Sequence, residues 1–224
     1  MVTLVGNTDI NDVARCVEKA FKNIDRQPAI LGESVFVAKA NEVKTVEERM
    51  DIAQGKLVLG FRVDMKPNDK AKAAMRSVVD IFGGGPYSRL FTNVREKMSL
   101  CYYCSARFVR AKSMVLVQCG CEEENMDKAI NEIINQLEII KHGEFLKSEF
   151  DASKIGLTDA VSSVNDSPEQ LENWYINQII DDELTSPDES VKANNDVKIE
   201  DISELAKKIT LDTVYKLMAE KEGE

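Results

Sequence analysis

GGGPYSRLFTNVREKMSLCYYCSA, residues 83–106, sets a glycine triplet before a short basic helix and a β-rich run. Gly83, Gly84 and Gly85 stop the preceding helix and let the chain reverse tightly, so that the next helix can pack close to a sheet. Pro86 to Lys97 supplies that helix, with Leu90, Phe91 and Val94 as its apolar stripe and Arg89, Arg95, Glu96 and Lys97 elsewhere on its surface. The β-rich run opens at Cys101, which places Arg95 and Tyr102 seven residues apart at a helix-to-strand junction. Each has an ordinary structural explanation. A cation in the last turn of a helix suits the macrodipole, and tyrosine favours strands.

At the N-terminal end, MVTLVGN reads as a buried strand. Thr8 or Asp9 then caps a helix through Ile24, with Ile10, Val13, Val17, Ala20 and Phe21 on one stripe. After the QPAILGE loop, SVFVAKA alternates in β fashion and VKTVEERMDIA does so more weakly. GKLVLGFRVD is a strong strand carrying Leu57, Leu59, Phe61 and Val63. Asn68 or Asp69 caps the helix that runs to Phe82. Strands at Cys101–Arg110 and Ser113–Cys121, hinged at AKS, predict a hairpin. Beyond Asn125 the pattern is helical. Met126, Ile130, Ile133, Ile134, Leu137 and Ile140 share a face, His142-Gly143 ends that helix, and Glu144 or Ser148 starts a long one toward Val164. Ser167-Pro168 opens another through Trp174 and Ile179, with shorter helices after Pro187 and near Asp201 and Leu211. The acidic DDELTSPDES segment is the candidate mobile loop.

This order lacks the βαβ alternation of a doubly wound fold. It predicts an α+β domain over residues 1–224, with a mostly antiparallel sheet, helices packed on one face and a helical C-terminal third. A chain of 224 residues, 43% of them hydrophobic, can bury its own core. Mean hydropathy is −0.28, and no apolar run is long enough to span a bilayer. MVTLVGNTDIND has neither a basic n-region nor a long apolar h-region, so no signal peptide is read there and a cytoplasmic location is expected. A net charge of −10, from 39 acidic and 29 basic residues, argues against nucleic acid or anionic membranes as partners.

Chemistry-bearing motifs are sparse. With His142 as the single histidine, no HxxEH or HExxH exists, and a histidine-ligated zinc is excluded. GGGPYS lacks the GK[ST] of a phosphate loop, and it follows a helix where a dinucleotide fingerprint would follow a strand. Five cysteines fit a reduced protein better than a disulfide framework. Cys101-x-x-Cys104 and Cys119-x-Cys121 have the look of a zinc site. In a strand, however, residues three apart point to opposite faces, so Cys101 and Cys104 are expected not to reach one ion, and no metal site is expected in this chain.

SRLFTNVREKMSLCY, preceded by its glycine turn, resembles the C-terminal, non-zinc domain of the insulinase/pitrilysin-type zinc metallopeptidases. The resemblance extends more loosely over the opening MVTLVGN strand and its helix, the GFRVD strand, and the EEENMDKAINEIINQLEII and FLKSEFDASKIGL helices. It implies that the chain is the C-terminal domain of a longer two-domain protein, or one of two subunits, that closes like a clamshell. It also implies that Arg95 and Tyr102 bind a peptide substrate, and that the zinc lies in an N-terminal domain or partner subunit. No cofactor is then expected in this chain, and this chain alone is expected not to be catalytic. As the alternative, the resemblance admits a non-catalytic structural or interaction module of the same fold. Cysteines beside Tyr102 depart from the small residues expected there.

Overall fold

The computed structural model describes residues 2–25, 27, 35–66, 71–179 and 184–220. Its centre is a five-stranded sheet in the order β1-β5-β2-β4-β3, formed by β1 (Lys44–Met50), β2 (Lys56–Val63), β3 (Tyr103–Val109), β4 (Met114–Gly120) and β5 (Ile209–Ala219). Three neighbouring pairs are antiparallel and β1·β5 is parallel. The α+β expectation holds. The inward face of β2 carries Leu57, Leu59, Phe61 and Val63, all at most 1% exposed, and β4 adds Val115, Val117 and Cys119. Helices α2 (Lys72–Gly83) and α3 (Met126–Lys141) cover this face, with the ring of Phe82 edge-on to Phe61 at 6.3 Å. The α3 stripe falls as its spacing requires: Met126, Ile133, Leu137 and Ile140 are buried, and Ile130 and Ile134 pack partly against the core.

Both ends of the chain correct the sequence reading. Residues 2–7 form no strand and are exposed. Helix α1 (Ile10–Phe21), capped by Asp9, buries none of its stripe. Residues 35–40 of SVFVAKA are not a strand, whereas the weaker VKTVEERM segment is β1. The QPAILGE loop lies mostly, and the Asn68 and Asp69 cap candidates wholly, outside the described residues. At the other end, the segment around Leu211 is β5, a strand inside the sheet where a helix was expected. The cause is a register shift at Gly60/Phe61. Leu59 faces Val214 whereas Phe61 faces Leu211, so an extra residue sits in β5. That bulge spaces the inward residues Ile209, Leu211, Val214, Lys216 and Met218 unevenly and so breaks the period-two signal of a strand. Of the acidic segment, residues 181–183 are outside the described set. Ser186 caps α6 (Pro187–Asn195), so its second half is helix rather than loop.

Three further helices complete the helical layer: α4 (Lys147–Ser162), α5 (Pro168–Ile179) and α7 (Ile199–Ala206). Between α2 and β3 the chain makes a π-helix, Leu90–Lys97, in place of the expected regular helix from Pro86. Leu90 and Val94 are fully buried as predicted, and Phe91 is half-buried. Arg89 is not a surface residue. Its side chain is 11% exposed, its Nε donates to Gln136 Oε1 at 2.8 Å, and its Nη1 lies 3.1 Å from the Glu149 carboxylate. Asn93 Nδ2 also reaches Gln136 Oε1, at 3.2 Å. Upstream, Tyr87 donates to Asp80 at 2.7 Å and ties the glycine turn back to α2. Burial is the main reason that the Asp80 carboxyl is raised above the ordinary range.

Two outcomes follow from this packing. A Cβ on Gly83 would sit 2.5 Å from the backbone nitrogen of Ala106 in β3, so the end of α2 approaches the sheet too closely for any side chain. Gly83→Ala is expected to lower stability in urea unfolding by about 1–3 kcal/mol. Arg89→Ala leaves the partly buried Glu149 carboxylate without its cation, with the Leu146 N–H as a remaining donor, and should cost about 1–3 kcal/mol. In the same assay, the exposed Arg107→Ala should stay within about 0.5 kcal/mol of the parent.

Candidate functional site

The π-helix and the hairpin β3–β4 meet at residues 98–102. Met98 N–H donates to Asn93 and Leu100 N–H to Val94, and Ser99 turns the chain with φ 51°. Tyr102 stands just before β3, and its N–H donates to Gly120 O at 2.8 Å, which docks it on the hairpin. This junction brings the two predicted residues together. Arg95 and Tyr102 line one open cleft of about 450 Å³, with Cys101, Glu122 and Asn125 on the same walls.

Arg95 is 40% exposed. Its guanidinium lies over the Phe91 ring at 4.6 Å, and its Nε is 3.5 Å from the Glu96 carboxylate. Tyr102 is 57% exposed, and its hydroxyl donates to Glu122 Oε1 at 2.5 Å. That hydrogen bond to a carboxylate raises the phenol above its usual range, so it stays protonated and remains a donor. The cleft therefore presents a planar cation and a phenolic O–H, with a carboxylate that orients the phenol.

The cysteines contradict the strand-alternation argument. The Sγ atoms of Cys101, Cys104 and Cys119 all lie within 4.8 Å of one another, the single such group of possible metal ligands among the described residues. Strand β3 begins at Tyr103, so Cys101 lies in the irregular segment and the period-two rule does not reach it. Cys104 and Cys119 are direct cross-strand partners on the buried face. Hydrogen bonds from Cys104 and then Cys119 bring the Cys101 thiol down to about 4, with the Arg95 charge assisting and burial opposing. The same contacts with Cys101 push Cys104 and Cys119 up. Sequence reasoning also missed Glu122. Its one visible signal is its place directly after the second strand of the hairpin.

The histidine-ligated zinc of the peptidases that the sequence resembles does not fit this chain. The one histidine, His142, caps the C-terminus of α3 and donates Nδ1 to Glu138 O at 2.8 Å. Among the described residues, no helix is long and apolar enough to cross a membrane.

Comparisons with known proteins agree with this architecture. Residues 1–157 match the family model described as the peptidase M16 inactive domain. A Bacillus subtilis (strain 168) protein named "Probable inactive metalloprotease YmfF" is 31% identical over 213 residues, covering 95% of this chain and 50% of that protein. The crystal structure of a conserved protein from Enterococcus faecalis V583 superposes with a TM-score of 0.85 at 27% identity, over 98% of this chain and 52% of that one. A protease from Helicobacter pylori shares the fold, with a TM-score of 0.82 at 21% identity over 95% of this chain and 54% of that one. The chain thus spans about half the length of the relatives it matches. With a family model covering most of its length and the same fold in its structural neighbours, the chain belongs to the peptidase M16 inactive-domain family.

Proposed function

We propose that this domain is the substrate-clamping half of an insulinase-like peptidase, binding an extended peptide opposite a zinc-bearing domain or subunit that this chain does not contain. One observation carries the reading: Arg95 and Tyr102, on separate elements, open onto the same cleft as hydrogen-bond donors. A guanidinium and a phenol both suit a peptide carbonyl, and suit still better the oxyanion that develops from it. Strand β3 ends the sheet and begins at Tyr103 beside the cleft. A peptide added to that edge would run past Tyr102, bound through its main chain without regard to sequence. The catalytic metal and the attacking water belong, in this reading, to the other half. A cytoplasmic setting is part of the proposal and is supported by five free cysteines.

A specific observation favours a second reading, an inactive interaction module. Both donors already have internal acceptors in Glu122 and Glu96, and the Bacillus subtilis relative is named as inactive. The two readings separate by experiment. This chain alone should cleave no fluorogenic peptide library. Adding its zinc-bearing half should give chelator-sensitive cleavage, and chelator-insensitive cleavage by this chain alone would sink both readings.

In the assembled enzyme, Arg95→Ala and Tyr102→Phe should each lower kcat/KM by about 10²–10³-fold, the usual cost of one oxyanion donor. Arg95→Lys should recover only part of that, since an ammonium lacks the planar fork. Arg107→Ala, exposed on β3, should lose less than about tenfold. Normal turnover in both Arg95→Ala and Tyr102→Phe would leave the interaction module as the reading.

A further inference from the structure

We propose that Cys101, Cys104 and Cys119 form a binding site for one thiophilic cation of the Zn²⁺ class, closed on the core side and open at Cys101 toward the cleft. Three Sγ atoms lie within 4.8 Å of one another. Tetrahedral thiolate coordination at Zn–S distances of about 2.3 Å requires sulfur separations of roughly 3.8 Å, so modest rotamer adjustments bring all three onto one ion. The scaffold is already rigid at two of the three positions. Cys104 and Cys119 face each other across the β3–β4 ladder, 4% and 0% exposed, so their Cβ atoms are fixed by backbone pairing. The third ligand comes from the turn that Ser99 initiates, where Cys101 is half-buried and lines the cleft.

The donor set selects the ligand class. Three sulfurs with no imidazole exclude hard cations such as Mg²⁺ and Ca²⁺, which require oxygen donors, and favour zinc or a comparably soft ion. A disulfide would use only two of the sulfurs and leave the third without a purpose, whereas a cation accounts for the convergence of all three. Cys121, also fully buried and in contact with Cys119, lies outside the group of three. Three thiolates would leave one tetrahedral position for water, which could enter past Cys101 from the cleft. Cys16 on the exposed helix α1 supplies an internal control, since it lies outside the cluster.

A bound cation would join the 98–102 turn to the hairpin covalently in effect, and so fix Tyr102, the neighbour of Cys101 in sequence. The site does not depend on the peptide-clamping role. Its test uses the reduced, tag-free chain and Zn²⁺ alone. Competition against a chromophoric chelator should give one zinc per chain, and Co²⁺ in its place should produce thiolate-to-cobalt charge-transfer absorption. Zinc should raise the melting temperature of the parent and protect Cys101, but not Cys16, from alkylation read by mass spectrometry. Cys101→Ser removes the ligand outside the ladder, and should lose at least tenfold in affinity together with the zinc-induced melting shift. Cys16→Ser should keep both. The protection experiment uses no variant, so a folding defect in Cys101→Ser cannot decide the matter. Absence of stoichiometric zinc, or equal alkylation of Cys101 with and without zinc, overturns the proposal.

Discussion

The buried Arg89 guanidinium, held between Gln136 of α3 and Glu149 of α4, is the constraint on which the candidate site rests. A charge in that position is expensive to desolvate, and its cost is recovered only where several acceptors converge with good geometry. Convergence fixes the π-helix against two other helices at once. Leu90 and Val94 pin the same element to the core from the other side. Arg95, one turn further on, inherits its position from these contacts. Few of its own contacts set it. Glu149 is spent twice, since its carboxylate also caps the start of α4 through the Leu146 N–H at 2.7 Å.

The sheet imposes a second condition. Its interior strand β5 comes from the last part of the chain and lies between β1 and β2. The hydrophobic face is therefore complete only when the segment at 209–219 has returned past all of the helices. Lys216 takes an inward position opposite Leu57 but directs its ammonium to Asp127 at the start of α3 and to Glu47 on β1, so the strand is tied near its C-terminal end to β1 and to α3. These contacts raise the Lys216 pKa, led by the hydrogen bond to Asp127, and keep the charge on the amine.

How much of this was legible depended on whether one physical rule governed a segment at a time. In α3 a single 3.6-residue period ran unbroken, and its buried face was read correctly. In β5 a bulge inserted one residue, and the spacing of Leu211, Val214, Tyr215 and Met218 then mimicked a helix. The β-branched content of ITLDTVY was the counter-signal. The opening MVTLVGN segment had strand composition, but its residues 2–7 pair with no strand among the described residues, and composition alone cannot supply a partner. The cysteine cluster was legible in a different way. A hairpin hinged at AKS sets Cys104 against Cys119 by counting alone. Only Cys101 was misplaced, because period-two alternation was extended two residues beyond the point where pairing begins at Tyr103. Arg95 and Tyr102 were found through family resemblance, since their residue types and spacing are ordinary by themselves.

The turn at 98–102 shows why these groups end up together. Ser99 adopts a left-handed conformation that an L-residue enters at a cost of roughly 1–2 kcal/mol. Such a conformation persists only where the surroundings impose it. Here the imposition comes from both ends: the π-helix terminates on Asn93 and Val94, and Tyr102 is docked on Gly120. Between two rigid elements separated by so few residues, the side chains have little freedom. The turn must therefore present Cys101 inward to the cysteine pair and Tyr102 outward to Glu122 in the same few ångströms of chain. Placing a thiol cluster beside a phenol held by a carboxylate follows from that geometry, with Cys101 and Tyr102 both on the wall of the cleft.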